Sequence, residues 1–165
     1  MDELTFKDRL NDLKLVVFDF DGVLTDNRVY VNELGEESVS CSRLDGLGLS
    51  NLRKIGLPAW VLSSEKNPVV GRRCEKLQID YIQGSESKLP DLQKIADKFE
   101  ASLHEVMFVG NDINDLECLE SVGLPVVVSD AHQDVMKDHF FMTKAAGGHG
   151  AVREICDLIF SILEN

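Results

Sequence analysis

The chain has 165 residues, 44% of them hydrophobic and 28% charged, an ordinary globular composition with enough length to bury a core of its own. Its 17 Lys and Arg stand against 29 Asp and Glu, and the resulting net charge of −12 repels nucleic acid and anionic lipid at long range. No stretch approaches the roughly 18 apolar residues of a membrane helix, and the opening MDELTFKDRLNDLK is too charged for a signal peptide, so a cytoplasmic location is expected.

In chain order, Leu15-Val16-Val17-Phe18 predicts a buried strand. Residues 28–40, RVYVNELGEESVS, predict a β-hairpin: Arg28–Val31, a turn near Leu34-Gly35, then Ser38–Ser40. An amphipathic segment at about 47–55 precedes a second apolar run, Ala59-Trp60-Val61-Leu62. Amphipathic segments at about 68–77, 87–99 and 113–122 alternate with a weaker strand, Ile79–Ile82, and with two further apolar runs, Val106–Val109 and Pro125–Val128. After the loop Gly147-Gly148-His149-Gly150, AVREICDLIFSIL at 151–163 predicts a last helix. Continuous apolar runs suit strands covered on both faces, and the β-α-β order implies a parallel sheet between helices. The expected fold is therefore α/β, a Rossmann-like doubly wound parallel sheet with a β-hairpin insert, in one domain spanning 1–165.

The four cysteines, Cys41, Cys74, Cys118 and Cys156, form no C-x-x-C pair, and the four histidines lack ligand spacing. Free thiols in a reducing compartment are expected rather than a zinc site.

Open α/β sheets bind ligands beyond the carboxyl ends of their strands. Three polar clusters fall there: Asp19-Phe20-Asp21, Ser63-Ser64-Glu65 and Gly110-Asn111-Asp112. Residues two apart on a strand point the same way. Asp19 and Asp21 would repel each other unless a cation sits between them, and a hard divalent ion such as Mg²⁺ fits oxygen ligands beside a phosphate. In so acidic a chain, a bound cation is the simplest local attraction for an anionic substrate.

Asp19-Phe20-Asp21-Gly22-Val23-Leu24-Thr25 resembles the D-x-D-G-x-[TL]-[TS] signature of the haloacid dehalogenase superfamily. The resemblance implies that Asp19 attacks phosphorus to form an aspartyl-phosphate, and that Asp21 is general acid and then general base. It implies that Ser63 binds the phosphoryl oxygens and that Lys88 neutralises nucleophile and phosphate. Gly110-Asn111-Asp112-Ile113-Asn114-Asp115 resembles the acidic metal motif. Asn111 is expected as the direct ligand, with Asp112 as a further contributor and Asp115 supporting the metal indirectly. Asn111 departs from the acidic residue usual there; a carboxamide oxygen ligates Mg²⁺ without bringing charge, which lowers affinity for the ion. Ser63 and the amides after it are expected to open a helix, a favourable place for an anion.

Only a hairpin and one helix fit between Asp19 and Ser63, so no cap domain is expected. Together with Asp45-Gly46-Leu47-Gly48 and the ending Gly147–Glu154, this resembles the capless 3-deoxy-D-manno-octulosonate 8-phosphate phosphatase branch. That resemblance implies a homotetramer built on the hairpins, a neighbour closing each active site, and a phosphorylated sugar acid as substrate. Octulosonate phosphatases carry Thr-Gly-Arg where this chain has Ser63-Ser64-Glu65. Glu65 and the Arg73-Cys74-Glu75-Lys76 stretch resemble the ketodeoxynononate (KDN) 9-phosphate phosphatases instead. The expected substrate is therefore a nonulosonate 9-phosphate, with the octulosonate 8-phosphate as the alternative. Ser64, Glu65, Arg73 and Lys76 are the expected substrate-binding residues, and Arg43 and Arg72 are further candidates for the substrate carboxylate. A reading from another class is a non-catalytic tetramerising module like the C-terminal domain of animal sialic acid cytidylyltransferases; Asp19, Asp21, Ser63 and Lys88, all intact, weigh against it.

Overall fold

The computed structural model describes Met1 and residues 3–164. Six strands form one sheet: β1 (Leu15–Phe18), β4 (Ala59–Leu62), β5 (Asp80–Ile82), β6 (Val106–Gly110), β7 (Leu124–Val127) and β8 (Phe141–Met142). Their order is β5-β4-β1-β6-β7-β8, and every pairing in it is parallel. Every residue of β1, β6 and β7 is buried, as strands sandwiched between helix layers must be. The helices are α1 (Glu3–Leu10), α2 (Leu44–Lys54), α3 (Val69–Leu77), α4 (Lys88–Lys98), α5 (Leu116–Ser121) and α6 (Ala151–Leu163). Helix α6 buries Ala151, Val152, Ile155, Cys156 and Ile159, a one-sided stripe that packs against α2, and α1 packs against α6 as well. Helices α4 and α5 form a second packed pair.

From β1 the chain builds β4 and then β5 on one side, then returns to add β6, β7 and β8 on the other. The order reverses between β1 and β6, which opens a crevice at their carboxyl ends. Between β1 and β4 stand only α2 and a separate antiparallel hairpin, β2 (Thr25–Val31) and β3 (Glu37–Cys41), with no cap domain. At the hairpin tip, Gly35 takes a positive φ of 77°, and Asn32 Oδ1 accepts from the amides of Leu34 and Glu36.

Three features differ from the sequence expectation. Helix α1 is half charged (ELTFKDRL) and, among its described side chains, buries only Phe6 and Leu10, and β8 is two residues long, so neither shows a period. The helix expected to open at Ser63 opens at Val69. Pro68 disfavours helical backbone at Asn67, and 63–68 instead form a turn in which Ser63 Oγ accepts from Glu65 N and Glu65 Oε1 from Asn67 N.

Asp45, in the first turn of α2, is buried, and neither carboxylate oxygen has a hydrogen-bond partner. Burial pushes its carboxyl from 3.8 up to about 7, against the pull of Arg73. Arg73 is committed elsewhere: Nη2 donates to Ser42 O at 2.6 Å. A carboxyl with a raised folded pKa stays neutral while the unfolded chain ionises, so its effect on stability is absent below about pH 4. Stability then falls as pH rises through the window from 3.8 to about 7. Asp45→Asn removes this slope: urea unfolding at pH 5 and pH 8 should show the variant gaining on the native chain at the higher pH, by on the order of a few kcal/mol.

Candidate active site

Asp19 follows β1 directly and is 3% exposed; its amide donates to Val109 O, which locks the first residue past β1 to the last part of β6. Asp19 Oδ1 accepts from Phe20 N at 2.7 Å and pairs with Lys88 Nζ at 2.7 Å. Lys88 Nζ also reaches Asp115 Oδ1 at 2.6 Å. All three side chains are buried. Lys88 is the first residue of α4 and falls on the face that carries Leu92, Ile95 and Ala96, so the helical period itself turns it inward.

Asp115 follows β6 by five residues. Its Oδ2 accepts from the amides of Asn111 (2.8 Å) and Asp112 (3.3 Å) and so shapes the loop after the strand. Asn111 is 7% exposed and lies against Gly22, whose φ is +76°; a Cβ there would come within 1.9 Å of Asn111 Nδ2. Only glycine allows both that backbone and that approach. Asp112 is half-buried and caps the following 3-10 turn, accepting from Ile113 N at 2.7 Å.

The electrostatics follow from burial. Desolvation and the neighbouring Asp115 push the Asp19 carboxyl above its ordinary range, while Lys88 pulls it back. Asp21 is also raised, first by burial and then by Glu65, with Lys88 opposing and Glu37 adding. For Lys88, burial alone would lower the ammonium, but Asp19 and Asp115 outweigh it and the pKa ends raised. Lys88 is therefore a fixed positive charge, and Asp21 a carboxyl held closer to its acid form.

Ser63 is 1% exposed and sits beyond β4, where its amide donates to Ile82 O and its carbonyl accepts from Ser85 N. Ser64 is exposed, with Oγ 3.5 Å from Asn114 Nδ2. Beside Asp21 opens a cleft of about 210 Å³ between the hairpin and the 63–68 turn, lined by Asn27, Arg28, Val29, Glu37, Val39, Glu65, Asn67 and Val69. Glu65 thus faces the cleft. Arg73 and Lys76 do not line it: Arg73 binds the Ser42 carbonyl, and Lys76 is exposed on α3. Arg28, Glu37 and Asn67, which do, were not singled out from the sequence.

The donor set suits a hard cation. The hydrogen bonds above leave Asp19 Oδ2, the Asp21 carboxylate and the Asn111 carboxamide uncommitted, all oxygen donors of the kind Mg²⁺ takes. Among the described residues no three His, Cys, Asp or Glu form a metal cluster.

Residues 70–155 match the haloacid dehalogenase-like hydrolase family. KdsC of Escherichia coli K12, a 3-deoxy-D-manno-octulosonate 8-phosphate phosphatase, is 34% identical over 152 residues, covering 92% of this chain and 81% of its own. The crystal structure of a probable YrbI family phosphatase from Pseudomonas syringae superposes with a TM-score of 0.94 at 37% identity, covering 99% of this chain and 93% of that one. The 3-deoxy-D-manno-octulosonate 8-phosphate phosphatase of Moraxella catarrhalis, solved with a magnesium ion, a phosphate ion and KDO, superposes with a TM-score of 0.92 at 29% identity, covering 98% and 93%. The chain belongs to the haloacid dehalogenase-like hydrolases. It is an enzyme of their phosphatase class, a phosphoric monoester hydrolase, which sets aside the reading as a non-catalytic module.

Replacing Lys88 by Met strands two buried carboxylates without their shared cation. Urea unfolding in the presence of a chelator should show a loss of about 3–5 kcal/mol, part of which returns in the Lys88→Met/Asp115→Asn double variant.

Proposed function

We propose that this enzyme hydrolyses a phosphorylated sugar acid, with Asp19 as nucleophile and Asp21 as general acid and base. The observation that carries the mechanism is the pairing of Asp19 with buried Lys88 at the topological switch point. Lys88 and the Phe20 amide hold one Asp19 oxygen and fix the carboxylate's orientation. Asp19 attacks phosphorus, an Asp19–phosphorus bond forms, and the ester P–O bond breaks. The departing sugar oxygen takes its proton from Asp21, which acts as general acid. A water then gives its proton to Asp21 and attacks phosphorus, which releases inorganic phosphate and restores Asp19. The Ser63 hydroxyl is the donor for the phosphoryl oxygens; the amides of Ser63, Glu65 and Asn67 are already spent on Ile82 O, Ser63 Oγ and Glu65 Oε1.

Asp19, Asp21 and Asn111 would hold a divalent cation. When bound, the ion screens the charge between carboxylate and phosphate, as Mg²⁺ does in phosphoryl transfer generally. The magnesium ion in the Moraxella relative supports that choice. Asp115 is spent on Lys88 and two amides and supports the site from behind; Asp112 contributes through the loop.

The preferred substrate is a nonulosonate 9-phosphate such as KDN 9-phosphate. Glu65 carries this reading: a carboxylate on the cleft wall accepts from sugar hydroxyls and disfavours a second carboxylate beside it. The octulosonate 8-phosphate remains the second reading, favoured by the likeness to KdsC over 92% of the chain. Assembly as a homotetramer through the hairpin is part of the proposal. Val29, Tyr30, Val31 and Leu34 stand exposed on a two-stranded ribbon, which needs a partner surface to bury them. A cytoplasmic setting fits the four free cysteines.

Asp19→Asn should lower phosphate release with Mg²⁺ by about three orders of magnitude or more while leaving the unfolding transition in place; wild-type rates in that variant would remove Asp19 from the chemistry. In paired assays, the native chain should favour the nonulosonate 9-phosphate over the octulosonate 8-phosphate, and Glu65→Arg should move the kcat/KM ratio toward the latter by about tenfold. An unchanged ratio would mean that Glu65 does not read the sugar.

A further inference from the structure

We infer that Arg28 is the residue that reads the substrate's carboxylate, a specificity role that rests on the sugar-acid phosphatase reading above. Arg28 lies in β2, an element expected to serve only the hairpin, yet it lines the cleft beside Asp21, and three features fit it for this role.

The first is backbone geometry. Asn27, Arg28 and Val29 all line the same cleft. A regular strand sends successive side chains to opposite faces, so three consecutive residues cannot share one cavity. Here the β2–β3 register shifts between Thr25 and Val29, and Asn27 takes φ +60°, in the left-handed region. The irregularity is held by side chains: Thr25 Oγ1 accepts from Asn27 N at 3.2 Å and Asp26 Oδ1 from Arg28 N at 3.2 Å. A bulge of this kind beside an active site re-aims a side chain that strand alternation would turn away.

The second is charge. The cleft wall presents Asp21, Glu37 and Glu65, and Arg28 is its one cation among the described residues. Without a compensating cation, a sugar acid would meet like charge from Glu37 and Glu65.

The third is availability. Glu65 Oε1 accepts from Asn67 N at 2.7 Å, and Glu37 Oε2 accepts from Asn67 Nδ2 at 3.1 Å. Both acidic neighbours are thereby tied to Asn67, and neither forms an ion pair with Arg28. The guanidinium keeps its planar fork of donors, the geometry that grips a carboxylate through two parallel bonds. Arg73 donates through Nη2 to Ser42 O, and neither Arg73 nor Lys76 lines the cleft. With phosphorus at Asp19 and the carboxylate at Arg28, the polyol between them would pass Glu65, Asn67 and Asn27, with Val29, Val39 and Val69 offering apolar contact to its C–H faces.

The test compares Arg28→Ala and Arg28→Lys with the native enzyme on two substrates: the nonulosonate 9-phosphate, or the octulosonate 8-phosphate if that is the one turned over, and mannose 6-phosphate, which has no carboxylate. In Arg28→Ala the ratio of kcat/KM, acid substrate over mannose 6-phosphate, should fall by about 10- to 100-fold, carried mainly by KM for the acid substrate. Arg28→Lys, which keeps the charge and loses the fork, should fall between. A native enzyme that hydrolyses the sugar-acid phosphate, with the ratio unchanged in Arg28→Ala, would overturn the role of Arg28 alone. A native enzyme that turns over neither sugar-acid phosphate would overturn the sugar-acid reading, and this inference with it.

Discussion

Lys88 Nζ lies 2.7 Å from Asp19 Oδ1 and 2.6 Å from Asp115 Oδ1, with almost no solvent access to any of the three. One ammonium thus answers two carboxylates in a low-dielectric setting, and the arrangement holds only while all three members are present. It also ties together parts of the chain that are far apart in sequence: the end of β1, the first turn of α4 and the loop after β6. Asp115 passes the constraint on through the amides of Asn111 and Asp112, and Asp19 passes it back through its own amide to Val109. The crevice at the switch point is therefore held in place by polar bonds as well as by the apolar sheet beneath it.

That triad is not neutral. Asp21 is close enough to feel the same lysine, so three carboxylates share one cation. Burial is the first reason that both Asp19 and Asp21 are raised rather than lowered, and the surrounding carboxylates add to it; on the proposed reading, the uncommitted oxygens of Asp19, Asp21 and Asn111 would take a further positive charge. Lys88 also opens a helix, where a cation opposes the helix dipole. The fold accepts that local cost because the pairing with Asp19 and Asp115 is far stronger than an end effect worth about 0.3–1 kcal/mol.

Much of this was legible in the sequence. The apolar runs 15–18 and 59–62 are strands with those bounds, and helix 151–163 likewise, because a strand buried on both faces and a strongly one-sided helix leave clear patterns. Asp19, Asp21 and the loop after β6 stand out because they follow such runs. Lys88 was marked by resemblance, yet its spacing to Leu92 and Ile95 already pointed inward. What escaped notice depends on tertiary context. Helix α1 and strand β8 are too charged or too short to show a period. The 63–68 turn owes its shape to side chain–backbone bonds of Ser63, Glu65 and Asn67 that compete with helix and have no fixed spacing. The turn of Arg28 into the cleft depends on a register shift, and a register shift is a property of two strands, not of one.

The two proposed roles of the hairpin, cleft wall and assembly surface, would fall on one set of residues. Val29 lines the cleft yet is half exposed, and Tyr30 and Val31 continue the same strand outward into solvent. Asn67 joins the cleft's two walls by donating to Glu37 on β3 while its own amide binds Glu65. With no cap domain between β1 and β4, the cleft is walled by the hairpin and the 63–68 turn. Because the cleft wall and the exposed apolar strip belong to one short β-ribbon, a surface that packs on the strip also narrows the cleft. Under the proposed assembly through the hairpin, substrate enclosure and assembly would be one structural event rather than two.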